Sequence, residues 1–392
     1  MSKNISVRRY RSLSEIDADL WDSVNVENSF FKSHKFLYLQ EKAKVESGIF
    51  WYLLFYEDDH LVGACAISSF LISLDLFLDS RSQKAITVVR FLFQGFMKIR
   101  ILFCGTPLSI GKNSLLIAKP ELGADILDCL LVEMDRICSE QKINYVSLKE
   151  FSEEETHWLD RVMEAGYIKC PSLPYVSMPV NWDSFTDYLS SLRHTYRRQI
   201  MASLNKVDFG ELLPFPSRKH VRPQKPIIDY SSDHTCDPQR FYEMYLSVMD
   251  RAEVKLEVLN QEFFNLLCNG MHSEIRMIII RQKNEVLASA LLVQDQDSLV
   301  FLLVGLDYEK RDLHDVYFNL IYAILAYAIE NKVKRLDLGQ TSYYVKQRIG
   351  GTCTPMYFYL RSRNRLVNWM LRKFQKTLFP ETELSHHRVF RR

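Results

Sequence analysis

Apolar positions along the chain switch between two periods, and the order of the switches occurs twice. Trp51 to Glu57 is a run of strand-forming residues, Asp58, Asp59 and His60 predict a turn, and LVGACAISS predicts the second strand of a hairpin. A long apolar segment leads to IRILFCG, a third strand stopped by Gly105, and GTPLSIGKNS predicts a loop. Ile126, Leu127, Leu130, Leu131, Met134 and Ile137 then recur at helical spacing between Gly123 and Lys142. INYVSLKEF predicts a strand, EEETHWLDRVMEAG a short helix ending at Gly166, and YIKCPSLPYVSMPV extended chain.

The second half repeats this order. PQRFYEMYLSVMDR and NQEFFNLLCNG predict helices, and IRMIIIRQ and EVLASALLVQ a hairpin about QKNE. DSLVFLLVGL is a third strand, DYEKRDL a charged loop, HDVYFNLIYAILAYAIEN a helix and VKRLDLG a fourth strand. After the loop that follows, TPMYFYLRS is the final strand of this half. Hairpin, strand, loop, helix, strand, loop and strand therefore predict two similar α+β domains, each a mixed, mostly antiparallel sheet flanked by helices. The boundaries fall at 1–180 for the first domain and 238–392 for the second. Residues 181–237 link them, with a basic helix (WDSFTDYLSSLRHTYRRQIMASLNKV) and then a proline-rich polar stretch.

A chain of 392 residues with 47% hydrophobic and 25% charged residues has the composition of a globular protein with room for two cores. Its net charge of +2 carries no global nucleic-acid signature. The charge is uneven, because Arg193, Arg197, Arg198, Lys206, Arg218, Lys219, Arg222 and Lys225 cluster in the linker and the chain from Arg361 onward is basic. Such patches attract phosphates, or are solvated faces. Eight cysteines form no CxxC pair and match no zinc spacing, so reduced thiols and a cytoplasmic location are expected. The N-terminal MSKNISVRRYRSL lacks the apolar core of a signal peptide. LVGACAISSFLISLDLFL contains Asp75, and TVVRFLFQGFMKIRILF contains Arg90, Lys98 and Arg100, so buried strands fit both better than a bilayer span of about 20 apolar residues.

Five stretches in order, GTPLSIGKNSLL, NWDSFTDYLSSLRHTYRRQI, FYEMYLSVMDR with LNQEFFNLL, LHDVYFNLIYAIL and LDLGQTSYYVKQRIGG, resemble motifs of the tandem-GNAT acyltransferases of the FemAB-like group, related to the Fem peptidyltransferases. The likeness implies two tandem acyl-CoA N-acyltransferase-like domains. It implies transfer of an acyl or aminoacyl group from an activated thioester donor, acyl-CoA by default, to a small-molecule or amino-acid-like amine. An acyl-carrier protein is a further donor, aminoacyl-tRNA the donor of the Fem relatives, and no tightly bound cofactor is expected. The chain departs from the family at Ser342-Tyr343-Tyr344-Val345, where Gly-Glu-His often precedes the lysine. DYEKRDLHD also lacks the glycines of the usual pyrophosphate loop.

Candidate site residues follow from what N-acyl transfer needs: positioning, carbonyl polarisation and proton movement. His314, at the start of the second-half helix, is a base near neutral pH or a packing residue. Lys310 and Arg311 in the loop before it are phosphate ligands, as are Arg197 and Arg198 of the linker helix if they are not mere surface. Gly111 and Lys112 in the first-half loop suit a phosphate cradle or a plain turn. Asp337 alternates with Leu336 and Leu338 and would reach the cleft. Gly339 would release the chain and Gly350-Gly351 turn it back, leaving Tyr343 to Arg348 over the cleft. There Tyr344 would protonate the leaving group, Tyr343 act alike or stack on substrate, and Lys346 and Arg348 bind carboxylate or phosphate. The alternative is that the tyrosines pack and the cations face water. The catalytic set is thus His314, Asp337, Tyr344 and Lys346, with no metal cluster, nucleophile elbow, Walker loop or Rossmann loop in view. A different class of function is a non-catalytic GNAT-like protein that recognises a polar ligand, or that docks on anionic membranes through its tail, where NRLVNWMLRKFQKTLF places Leu366, Trp369, Met370 and Phe374 near one face. An ordinary helix packed on its own domain has the same pattern.

Overall fold

The computed structural model describes residues 5–73, 98–209, 225–230, 237–252, 257–310, 314–385 and 387–391. Most of the apolar segment between the second and third strands, most of the proline-rich stretch and Arg311 lie outside the described residues. The chain forms two compact units: Met1–Leu173 with Glu253–Phe263 and Pro355–Thr382, and Pro174–Ala252 with Phe264–Thr354 and Glu383–Arg392. Neither unit is contiguous, whereas 1–180, 181–237 and 238–392 are successive segments of chain.

In chain order the strands and helices used below are β1 (Ile5–Tyr10), β2 (Ile49–Glu57), β3 (His60–Ser73), β4 (Lys98–Cys104), α1 (Gly123–Gln141), β5 (Tyr145–Ser152) and β6 (Ile168–Pro179). There follow α2 (Phe185–Ser191), α3 (His194–Leu204), α4 (Pro238–Arg251), β7 (Ile275–Gln282), β8 (Glu285–Asp295) and β9 (Ser298–Leu306). The last are α5 (Val316–Glu330), β10 (Arg335–Gly339), α6 (Tyr343–Arg348), β11 (Thr352–Ser362) and α7 (Arg365–Lys373).

The repeat seen in the sequence is a repeat of pairing. In the first unit β2 and β3 are antiparallel, β3 and β4 antiparallel, and β4 and β5 parallel. Asp58 and Asp59 take φ of 45° and 65°, as a two-residue hairpin turn with the right twist requires. In the second unit β7 and β8, then β8 and β9, are antiparallel, and β9 and β10 are parallel. The parallel pairs are joined through α1 and α5 respectively. Ile126, Leu127, Leu130, Met134 and Ile137 of α1 pack with Trp51, Leu53, Phe55 and Leu102. Helix α5 is buried almost all round against Ile278, Ile280, Ala290 and Leu292, which is why its sequence shows little polar face.

Two local expectations change. The closing strand of each sequence repeat pairs with a strand of the other repeat, inside one compact unit. Met356–Ser362 of β11 lie antiparallel to β5, and Val176–Pro179 of β6 antiparallel to β10. Alternation in a sequence fixes which face of a strand is buried and is silent about which edge it joins. The linker helix is also two helices. Leu192 and Arg193 are extended, because this backbone pairs with the end of the chain: Arg193 N–H donates to Val389 O at 2.9 Å, and Leu192 bridges Phe390. The described cysteines 65, 104, 129, 138, 170 and 353 are free thiols, but Cys268 is disulfide-bonded, which departs from the expectation of eight reduced thiols. Among the described residues no helix is long and apolar enough to cross a membrane.

Helix α4 lies on β9 where the strand has no side chain. A Cβ on Gly305 would stand 2.7 Å from Met244 Cβ and 3.2 Å from Phe241 Cδ2. Gly305→Ala is expected to lower the urea midpoint, with a loss of about 1–3 kcal/mol. An unchanged midpoint would mean that α4 is not held against this strand.

Candidate functional site

Strands β9 and β10 pair in parallel over three residues, Ser298–Val300 with Arg335–Asp337, and then part. Beyond Val300, β9 runs on to Leu306 beside β8 while β10 ends at Gly339. Gly339 has φ of +72°, and Thr341 and Ser342 follow at 64° and 49°, so the chain leaves the sheet through a tight turn that side chains resist. The expected loop from Tyr343 to Arg348 is instead the short helix α6. Its C-terminus is closed by Gly350 N–H to Gln347 O and Gly351 N–H to Lys346 O, both 3.0 Å, with Gly350 at φ +104°. Gly350 has a second reason to be glycine: a Cβ there would fall 2.2 Å from Phe390 Cζ.

A cavity of about 380 Å³ lies beside α6. Tyr317, Tyr343, Tyr344 and Gln347 line one side and Glu383–Ser385 the other. Among the described lining residues, Glu383 is the one charged side chain. The C-terminal segment is held here by Gln347 Nε2 donating to Ser385 O at 2.7 Å and by His387, whose ring meets Tyr196 and Tyr344 edge-on.

Of the predicted residues, Tyr343 and Tyr344 reach this cavity. Tyr343 donates to Pro174 O at 3.2 Å, and burial pushes its hydroxyl up to about 12. Tyr344 is exposed, with the Arg348 guanidinium 4.9 Å from its ring centre. Arg348 also lies over Tyr196 of α3 and donates to Gln199, so it ties α6 to α3 instead of standing open to an anion. On α3, Arg197 is half-buried and Arg198 exposed.

Lys346 does not line the cavity. It is 3% exposed, and its Nζ donates to Gln340 O at 2.7 Å, bracing the turn that leads into α6. Burial pulls its pKa down to about 7, with Cys353 opposing. Asp337 is buried between Leu336 and Leu338, and its Oδ1 accepts from Arg335 Nε at 2.6 Å. His314 is half-buried before α5, which begins two residues later than the sequence suggests. Burial, then Lys206, lower its pKa, and Asp315 opposes them. Asp315 accepts from Lys206 Nζ at 2.7 Å and Ser203 Oγ at 2.8 Å, and Lys310 is paired with Glu285. Arg311 lies outside the described residues.

The first unit's counterpart loop has turned its donors onto the chain's own acids. Gly111 N–H donates to Glu150 Oε1 at 2.8 Å and Ser109 N–H to Glu257 Oε1 at 3.0 Å. Lys149 Nζ donates to Pro107 O and Ser109 Oγ and lies 3.9 Å from Glu150 Oε2. Burial raises the pKa of both carboxyls, that of Glu257 to about 7, with Lys149 opposing. Lys112 sits with its Nζ 5.6 Å from the Phe31 ring centre. A loop expected to cradle phosphate thus holds carboxylates. The sequence reasoning missed Glu150, Glu257 and Glu383. Only Glu150 left a signal there, an acid inside a strand pattern. Among the described residues no three His, Cys, Asp or Glu side chains are grouped to hold a metal.

The FemAB_like family model, described as peptidoglycan biosynthesis/recognition, matches residues 12–376. Two Mycobacterium tuberculosis proteins named "Putative 8-amino-7-oxononanoate synthase 2" are each 23% identical over 306 residues, 75% of this chain. The chain spans 38% of the length of these curated relatives. The crystal structure of FemX superposes with a TM-score of 0.56 at 10% identity, over 93% of this chain and 100% of that one. A tandem GNAT protein from the clavulanic acid biosynthesis pathway gives 0.53 at 9% identity, over 92% and 98%. The shared property at these identities is the fold, a GNAT-type α+β architecture in tandem.

The two buried charges make opposite pH predictions. Lys346 has a folded pKa of about 7 against an ordinary 10.5, so the stability it contributes is present above 10.5 and lost as pH falls towards 7. The thermal stability of the wild type should therefore gain on that of Lys346→Met as pH rises across this window, and a constant difference would contradict the assignment. Glu257 has a folded pKa of about 7 against 4.5, so its contribution is present below 4.5 and lost as pH rises towards 7. The wild type should gain on Glu257→Gln as pH falls from 7 to 4.5, which denaturant titrations at several pH values will read.

Proposed function

Because the chain belongs to the FemAB_like family, we propose that it is an N-acyltransferase, moving an acyl group from an activated donor to an amine in the second unit. The observations that carry this are the parting of β9 and β10 and the tyrosine-lined cavity at α6, the helix that follows β10. Among the described residues, Phe301 to Leu306 of β9 have no parallel partner on the edge that β10 leaves, so backbone N–H groups on that edge can hold a carbonyl oxygen as negative charge develops on it. The acceptor nitrogen attacks the carbonyl carbon, the carbon–sulfur bond of a thioester breaks, and the thiolate takes a proton. Tyr344, exposed at the cavity, is the proton donor. Glu383 is the carboxylate that draws the acceptor's ammonium into the cavity and takes its proton before attack. Lys346 acts as a positioning residue, through Gln340 and the turn into α6.

Acyl-CoA is the first donor we propose, as a co-substrate. A second reading, an aminoacyl-tRNA donor, is favoured by the loop after β9. There Lys310 is paired with Glu285 and Lys206 with Asp315, so neither cation stands open to a coenzyme pyrophosphate. Exposed Arg198 on α3, the helix joined to α6 by Gln199 and Arg348, offers a place for a polyanionic donor. A stabilisation of the protein by acetyl-CoA supports the first donor, and one by charged tRNA alone supports the second.

The activity is tested by incubating the protein with a panel of acyl-CoA thioesters or charged tRNA and a cell extract, then searching for new amides by mass spectrometry. Amide formation is expected, and Tyr344→Phe should lower kcat by about a hundredfold with an unchanged Tm. Absence of any amide with every donor would contradict the proposal.

A further inference from the structure

Helix α7, in the first unit, is fastened along one side only. Asn368 Nδ2 donates to Gly166 O at 2.9 Å, and its Oδ1 accepts from Ser362 N–H at 2.9 Å. Just beyond the helix, Gln375 donates to Lys169 O, and Phe379 meets the Phe358 ring edge-on. Yet no residue of α7 is buried. Its other side carries Leu366, Trp369, Met370 and, one residue past the helix, Phe374, at i, i+3, i+4 and i+8, exposed by 66%, 55%, 39% and 49%. Four large apolar side chains on one stripe are more than scattered surface residues, and a stripe of this size needs a cover.

The charges around it indicate the kind of cover. Arg361 and Arg363 are turned onto Asp135 and Ser139, but from residue 365 to 380 the sequence has Arg365, Arg372, Lys373 and Lys376 and no aspartate or glutamate. Lys373 Nζ lies over the rings of both Trp369 and Phe374, 5.0 Å and 5.8 Å from their centres. An acidic protein partner would satisfy the cations and leave the stripe uncovered, whereas an apolar protein surface would do the reverse. The surface of an anionic bilayer does both: the stripe enters the boundary of the acyl chains, the tryptophan sits at headgroup level, and the cations meet lipid phosphates.

We propose that α7 is a peripheral docking helix by which the protein binds anionic lipid membranes. The helix lies parallel to the bilayer plane, its Leu366–Phe374 stripe inserted and Asn368 turned back to the protein. Docking is independent of the acyl-transfer chemistry, which is assigned to the other unit.

The full chain is to be co-sedimented with vesicles of phosphatidylcholine alone and of phosphatidylcholine mixed with phosphatidylglycerol. Partitioning about tenfold or more in favour of the anionic vesicles, weakened by salt, is expected. Trp369→Gln with Phe374→Gln should lower it by about tenfold, and Arg372→Gln with Lys373→Gln should lower the preference for anionic lipid. All four positions are exposed, so the variants should keep the wild-type Tm. Equal partitioning to both vesicles, no partitioning, or partitioning untouched by the apolar pair would overturn the proposal. So would a halving of the protein's mass in solution in the apolar variant, because the stripe would then be covered by a second copy of the chain.

Discussion

The parallel register between β9 and β10 ends after Val300 and Asp337, and the acyl transfer proposed for the second unit depends on that short pairing. A longer ladder would use up the backbone groups of β9, carry β10 past Gly339 and leave no room for the turn into α6. The pairing stops because three residues in a row of four, Gly339, Thr341 and Ser342, take positive φ and turn the strand out of the sheet. Strain of this kind is kept only where the surroundings fix it. Here they do: β6 pins β10 from its other edge, Lys346 holds Gln340, and the end of the chain packs Phe390 into the space that Gly350 leaves open.

The two units share an architecture and differ in what fills the loop after the third strand. In the first unit the donors of that loop are taken by Glu150 and Glu257, buried carboxyls whose pKa values are raised by desolvation. In the second the strand edge is open and a cavity lies beside α6. This asymmetry supports assigning chemistry to one unit and a supporting role to the other. In the second unit the buried Lys346 Nζ donates to Gln340 O where the chain leaves β10, and desolvation lowers the pKa of this amine to about 7.

The elements were legible from period alone: the hairpins, α1, α5 and the doubling all follow from where apolar residues recur. Partners were not. That β11 joins β5 and β6 joins β10 is decided by three-dimensional competition for edges, on which a strand's own alternation has no bearing. The break between α2 and α3 was invisible because the residues that cause it, Val389 and Phe390, lie almost two hundred positions away. At the site, the tyrosines and glycines of the segment 339–351 stood out by their density, and Tyr343 and Tyr344 line the cavity. Lys346 and Arg348, read as ligands of carboxylate or phosphate or else as cations facing water, are respectively buried on Gln340 O and engaged with Gln199 and Tyr196. A cation in a polar-looking sequence gives no sign of whether its stem is buried, and only packing shows that one braces a turn and the other bridges two helices. Glu383 lies in a tail with no periodic pattern, so nothing in the sequence marked it.

The central claim, that an acyl donor is held where β9 and β10 part, is tested most directly by amide hydrogen exchange with and without acetyl-CoA. The account predicts protection of Phe301–Leu306 and of Tyr343–Arg348, with no change at Gly105–Ser114 of the first unit. Protection confined to the first-unit loop, with the β9 edge exchanging as in the free protein, would contradict it.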